Sequence, residues 1–162
     1  MAKLTGPLLV HDEDTTVVDT TAKYPFLTRG YGEGGGEYIY LAGAASRGTG
    51  NVVVYTPTGA VTRVTSTTGS PGPAAVAGGA INSTVSSGWY QIYGVGAATV
   101  GVASITNAQV YTTATAGMIS TTDVATAFIA GVFTTAAGDA VGTTGTVAIH
   151  LQYPYRPHGI LD

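Results

Sequence analysis

The chain has 162 residues, of which only 9% are charged, and six Lys and Arg against nine Asp and Glu leave a formal net charge of −3; an ordinary soluble domain carries about 25% charged residues. No basic reservoir exists to neutralise phosphates, which argues against a nucleic-acid binder. The absence of cysteine removes disulfide frameworks, thiolate metal sites and cysteine nucleophiles, while 44% apolar residues suffice for a core without such staples.

At the start of the chain, Leu8-Leu9-Val10 ends at His11 and the acidic Asp12-Glu13-Asp14, short of the about 7–15 apolar residues of a secretory signal. Later apolar stretches are all interrupted by Thr or Gly before the ~20 residues that span a bilayer. A soluble protein, or part of a soluble assembly with no membrane partner, is expected. The acidic run is read as a solvated segment rather than a metal site, since consecutive side chains diverge and a cation needs converging oxygens. Gly30, Gly32 and Gly35 satisfy G-x-G-x-x-G, but no helix follows, no Lys stands in the loop, and Glu33 and Glu37 would repel phosphate. Residues 1–35 are therefore read as an extended N-terminal arm, with Tyr24, Pro25 and Phe26 as apolar anchors and the glycine loop as a flexible hinge.

Beyond the arm, short β-prone runs punctuated by Gly and Pro predict strands at 37–42 (EYIYLA), 51–56 (NVVVYT), 60–66, 89–93 (WYQIY), 109–113, 117–121, 127–134 and 146–153. No long helix is predicted. Pro57-Thr58-Gly59 and the segment from Ala114 to Gly117 read as hairpin loops. VYTPTGAV at 54–61 resembles VYTTATAGMI at 110–119, and GWYQIYG at 88–94 stands at a similar offset from GTVAIHLQY at 145–153, which suggests an internal duplication. In the last strand Val147, Ile149, Leu151 and Tyr153 alternate onto one face and His150 onto the other. Phe128, Ile129, Val132 and Phe133 populate both faces, predicting a strand buried on both sides. The fold class is all-β, a compact β-barrel or β-sandwich at 36–153 with the extended N-terminal arm before it and a short C-terminal tail at 154–162.

Charge is distributed unevenly. Residues 1–37 alone sum to −3, whereas from 64 to 155 the only charged side chains are Asp123 and Asp139. A surface this neutral promotes association, so neighbours are expected to cover part of it.

Chemistry is hard to place. G-x-S-x-G is absent, the acids and histidines cluster toward the termini, and Asp123 and Asp139 stand alone, so neither a serine triad nor a glycosidase carboxylate pair is indicated. The protein is read as a non-enzyme with no catalytic, cofactor-binding or metal residues and no cofactor. Trp89 and the ten tyrosines divide between core packing and, as the alternative, the stacking platform of a carbohydrate-binding or adhesin module of a phage tail or cell surface. The sequon Asn82-Ser83-Thr84 adds little without a secretory signal.

From Gly88 onward the order of elements resembles the capsid decoration, or head cement, proteins of tailed bacteriophages. The resemblance rests on GWYQIYGVG, the pair Val110-Tyr111, the return Gly117-Met118-Ile119-Ser120-Thr121, the run from Ile129 to Val132 and the closing strand from Thr146 to Leu151. It implies a structural protein on the outer surface of the virion, made in the host cytoplasm, with the major capsid protein and copies of itself as partners. A trimer is implied first, with dimers also known in that family. Contacts with capsid or with copies of itself are placed on Tyr24, Pro25 and Phe26 of the arm and on Tyr155, Arg156, Ile160 and Leu161 of the tail.

Overall fold

Three consecutive valines, Val52-Val53-Val54, suit a strand covered on both faces, where alternation between polar and apolar positions is not needed. The computed structural model places them in this way: Val52 and Val54 enter one apolar core and Val53 a second. It describes residues 3–5, 13–32, 34–46, 48–66, 71–101, 106–122, 127–136 and 145–157, and Ile160 and Leu161 lie outside these.

Thirteen strands and no helix are found among the described residues: β1 Lys3–Thr5, β2 Glu13–Asp14, β3 Val18–Asp19, β4 Arg29–Gly32, β5 Glu37–Ala42, β6 Val52–Tyr55, β7 Val61–Arg63, β8 Gly72–Ala77, β9 Ser87–Val100, β10 Gln109–Thr112, β11 Ile119–Ser120, β12 Phe128–Thr134 and β13 Gly145–Arg156. The protein is all-β, with one mixed sheet whose parallel pairing is β11 with β9. The path β9, β11, β10, β12, β13 returns to its start through an eight-residue antiparallel register, Gly145↔Val100 to Gln152↔Tyr93. Inside this circuit pack Ala98, Val100, Val110, Ile119, Ile129, Val132, Val147, Ile149 and Leu151. β6 and β8 divide that core from the second one, which holds Ile39, Leu41, Val53, Ala75, Ala77, Ile81, Tyr90 and Ile92.

The internal duplication reappears as connectivity. β6 pairs with β7 and β8, and β8 with β9; β10 pairs with β11 and β12, and β12 with β13. Corresponding strands start at Val52 and Gln109, Val61 and Ile119, Gly72 and Phe128, Ser87 and Gly145. The two hairpins also meet, since Gly117 N donates to Val64 O (2.8 Å) and Ser66 N to Thr113 O (2.8 Å).

Several expectations are corrected. The glycine loop is not a hinge: Gly30, Tyr31 and Gly32 belong to β4 and Gly34 to Gly36 lead into β5, with Tyr31 paired to Glu37, Gly32 N donating to Gly36 O at 2.7 Å, and Gly34 and Gly35 at φ of 86° and 81°, which the turn requires. The stretch read as an arm supplies β1 to β4, with β3 paired to β9 and β4 to β5. Its polarity concealed strands of two to four residues, one of which, β3, has its partner far along the chain. β9 runs from 87 to 100 rather than 89 to 93, because Gln91 folds back and donates Nε2 to the carbonyls of Tyr93 (3.1 Å) and Val95 (2.9 Å), carrying the strand through glycines that read as punctuation. β12 is not buried on both sides. Gly131 sits at φ 73° in a bulge, so Ile129 and Val132 both face the core while Phe133 is 41% exposed. A left-handed Tyr153 (φ 48°) breaks the alternation of β13 and turns its ring out to solvent, where it is 55% exposed. β13 itself continues to Arg156, two residues past the predicted start of the tail.

Candidate interaction surface

Two groups of aromatic side chains lie on the sheet, and the first holds residues that sequence reasoning singled out. In the first, Trp89 on β9 and Tyr40 on β5 are opposite in the ladder and meet edge to face at 5.1 Å. Tyr24 closes over both, 5.4 Å from the Tyr40 ring and 5.5 Å from Trp89, and Phe26 stacks on Tyr40 at 6.3 Å. Pro25 forms the turn between them, its carbonyl accepting from Thr28 N (3.2 Å) and Thr28 Oγ1 (2.7 Å). Tyr24, Pro25 and Phe26 are therefore anchors, but onto their own sheet.

Polar groups fasten the same segment. Trp89 Nε1 donates to Glu13 Oε2 (3.3 Å), Tyr40 OH to Asp19 Oδ2 (2.6 Å), and Lys23 Nζ pairs with Glu13. The backbone at Thr15 passes so close to Gly78 that a Cβ there would lie 2.4 Å from the Thr15 carbonyl oxygen. Partial burial raises the Glu13 carboxyl, but hydrogen bonds from Lys23, Tyr24 and Trp89 outweigh it and hold the group below its ordinary 4.5. The same hydrogen bond to Glu13 pushes Lys23 up to about 12. A carboxyl lowered by folding stabilises the fold fully above its unfolded pKa, and the contribution is lost as pH falls through the lowered folded value. Wild-type stability is accordingly expected to fall below pH 4.5 more steeply than that of Glu13→Gln. Urea unfolding followed by Trp89 fluorescence across that range checks it, and parallel profiles would contradict the pairing.

The second group is exposed and was not predicted. Phe133, His150 and Val95 are cross-strand neighbours on β12, β13 and β9, with Phe133 paired to His150 and His150 to Val95. Val95 is 70% exposed. Next to them Tyr93 packs on Tyr153 at 5.1 Å and on His150 at 6.3 Å. A compact charged network adjoins this strip, in which Glu37 accepts from Arg29 Nη1 (2.6 Å) and Tyr153 OH (2.7 Å). That hydrogen bond, with partial burial, raises the Tyr153 hydroxyl above its ordinary range. Beside it an open groove of about 360 Å³ runs between Arg29, Tyr55, Ile92, Pro73, Tyr153 and Tyr155.

Of the residues assigned to the tail contact, Tyr155 is half exposed and lines this groove. Arg156 points the other way, into the protein, with a buried Nη1 that lacks a hydrogen-bond partner; burial lowers its pKa. The Tyr24–Phe26 anchors pack on Tyr40 and Trp89 and do not line the groove. Trp89, the residue that suggested a sugar platform, is 1% exposed and offers no ring face to solvent. One signal for the exposed strip stood in the sequence: outward alternation in the closing strand marks His150, and the same period in β9 marks Tyr93 and Val95 once the strand is known to pass Gly94. Among the described residues no group of three or more His, Asp and Glu is placed to hold a metal ion.

No family model, curated protein or solved structure matches the chain.

Proposed function

We propose that this protein is a structural capsid decoration protein, binding the outer surface of a phage head and stabilising the shell by bridging major capsid protein subunits. The observation that carries the reading is the strip of Phe133, Val95, Tyr93 and Tyr153, large apolar side chains exposed side by side on strands held rigid by long registers. Such a patch marks a protein contact rather than a solvated face, and its four side chains, all uncharged, suit the centre of an interface. The closed circuit of strand pairing supports a barrel over a sandwich for this part of the chain. Self-association, as a trimer first, belongs to the same reading, as does a place on the virion exterior. The mechanism is mass action: area buried only in the assembled shell favours assembly over disassembly.

The test is co-sedimentation with expanded, undecorated shells. Stoichiometric binding is expected, and Val95→Asp with Phe133→Asp is expected to weaken it about tenfold or more, since a charge is then desolvated at the contact centre. Both sites are exposed, so the thermal unfolding midpoint should hold. Absence of binding, or binding unchanged by the double substitution, overturns the proposal.

A carbohydrate-binding module remains the second reading on one observation, the exposed rings of Tyr31, Tyr93 and Tyr153, which offer faces for sugar stacking that Trp89 does not. Glycan-array binding lost in Tyr93→Ala would favour it.

A further inference from the structure

We propose that one end of the closed strand circuit binds a small carboxylate-type monoanion between the guanidinium of Arg156 and the hydroxyl of Thr112. Among the described residues these two side chains hold the buried polar atoms without a hydrogen-bond partner, Arg156 Nη1 and Thr112 Oγ1, in residues 5% and 0% exposed. Buried polar groups are as a rule hydrogen-bonded, and a buried cation above all needs a counter-charge.

Strand register brings the pair to the same end of the circuit. Tyr155 stands opposite Ala130, so Arg156 is level with Ile129 on β12. Val110 is paired with that same Ile129, and Thr112 N donates to the carbonyl of Ala127 at 2.8 Å. Past the left-handed Tyr153 the alternation of β13 resumes, with Tyr155 exposed and Pro154 and Arg156 buried. Arg156 therefore shares the face on which Ile129 and Val110 enter the first core, and Thr112, two residues from Val110 on β10, shares it too. Only β12 lies between the two strands, so two spacings of about 4.8 Å across and two residues of ~3.3 Å along put the backbones about 12 Å apart. A long arginine stem crosses most of that distance. The polar ends do not bond each other, and a small anion seated between them would accept from both.

The chemistry narrows the anion. A guanidinium presents a planar fork that matches the two oxygens of a carboxylate, and the threonine hydroxyl adds a third donor. Arg156 is the only Lys or Arg after Arg63. No carboxylate among the described residues bonds it, and burial alone lowers its pKa, with no opposite charge acting on it. One positive charge in an apolar core is balanced by one negative charge, whereas a dianion would carry an excess charge into the same core. Ile129 and Val110 beside the pair leave the rest of the ligand an apolar setting, which suits a carboxylate with little or no polar substituent.

The site belongs to the free protein and stands or falls separately from capsid binding. It is tested on the full-length chain with sodium formate as the probe and sodium fluoride at equal ionic strength as the control. In protein labelled with ¹⁵N at arginine, the Arg156 Nε–H resonance, assigned by its loss in Arg156→Met, is expected to shift to a saturable one-to-one endpoint with formate, while no other arginine resonance saturates. Formate at about a hundred times its dissociation constant should raise the folded-to-unfolded ratio about a hundredfold, read as a higher urea midpoint. Arg156→Met removes an unpaired buried charge, so its midpoint in fluoride should equal or exceed that of the wild type, and formate should add nothing to it. Thr112→Val should weaken formate binding about tenfold, the loss of one hydrogen bond to a charged group. A shift that is absent or does not saturate overturns the proposal. So does an Arg156→Met midpoint well below the wild type in fluoride, which would show the guanidinium already paired within the chain. Formate affinity unchanged in Thr112→Val overturns the part given to the hydroxyl.

Discussion

Replacing Trp89 with alanine is expected to lower stability by about 3–5 kcal/mol, the usual cost of removing a fully buried aromatic side chain. Trp89 is 1% exposed and has Tyr40 and Tyr24 rings at 5.1 and 5.5 Å, so the cavity would be walled by side chains that are themselves held in place by strand pairing and would not collapse freely. The loss also spreads along the chain. Glu13 loses its indole donor and Tyr24 one of its two ring partners, leaving β3 to hold through its two-residue pairing with β9 and through Asp19 on Tyr40. Since domains are stable by only about 5–15 kcal/mol, a large share of the total is at stake. Trp89→Phe separates the contributions: it keeps a ring and loses the hydrogen bond to Glu13, and is expected to cost about 1–2 kcal/mol. Urea denaturation read by far-ultraviolet circular dichroism measures both. A Trp89→Ala loss under about 1 kcal/mol would contradict a close-packed cluster.

Gly131→Ala is expected to be nearly as damaging, although it adds only a methyl group. At φ 73° the residue occupies the left-handed region, which costs a side-chain-bearing residue about 1–2 kcal/mol. Its Cβ would also stand 2.6 Å from the Gln152 carbonyl oxygen, a backbone atom of the neighbouring strand, and overpacking of this kind adds about 1–3 kcal/mol. The alternative open to the chain is to straighten the bulge. That would slip β12 by one position, turn Val132 out of the core and carry Phe133 inward. Either outcome appears as a lowered unfolding midpoint, and the second also as a loss of Phe133 from the exposed strip, so shell binding would weaken with it. A stability unchanged within about 0.5 kcal/mol would refute the bulge.

Much of the strand order was legible because it rests on local chemistry. The run EYIYLA forms β5 at the predicted residues 37–42, the Pro-Thr-Gly and Ala114–Gly117 loops join antiparallel pairs, and the matched hairpins head two four-strand units of the same connectivity. β8 was missed for an equally physical reason. Its sequence GPAAVA has weak strand propensity, but Ala74 and Val76 face one core and Ala75 and Ala77 the other, and small side chains are what two cores separated by one strand layer can accept. The polar N-terminal stretch hides β1 to β4 because strands of two to four residues are too short to show a period, and the partner of β3, β9, lies far along the chain.

For the interaction surface the division is sharper. Tyr24, Pro25, Phe26 and Tyr155 were picked out as apolar side chains in proline-broken segments, and hydrophobicity alone does not say whether such a group covers its own sheet or a neighbour's. Trp89 and Tyr153 illustrate the point: the larger ring is buried and the smaller exposed, because the Trp89 face is covered by Tyr24 while a left-handed backbone turns Tyr153 outward.

By itself the sequence determined that this protein is built of strands, that its charge is concentrated in the first 37 residues, and that the remainder meets water or neighbours through hydroxyl, backbone and apolar groups. These properties follow from side-chain type and from periods of a few residues. Only the tertiary structure decided that the described part of the charged stretch lies on the sheet, fastened by Glu13, Asp19 and Lys23 to Trp89 and Tyr40. It also decided that the exposed strip is Phe133, Val95, Tyr93 and Tyr153, since the face a side chain takes depends on bulges and on pairings between residues many positions apart, neither of which a local pattern contains.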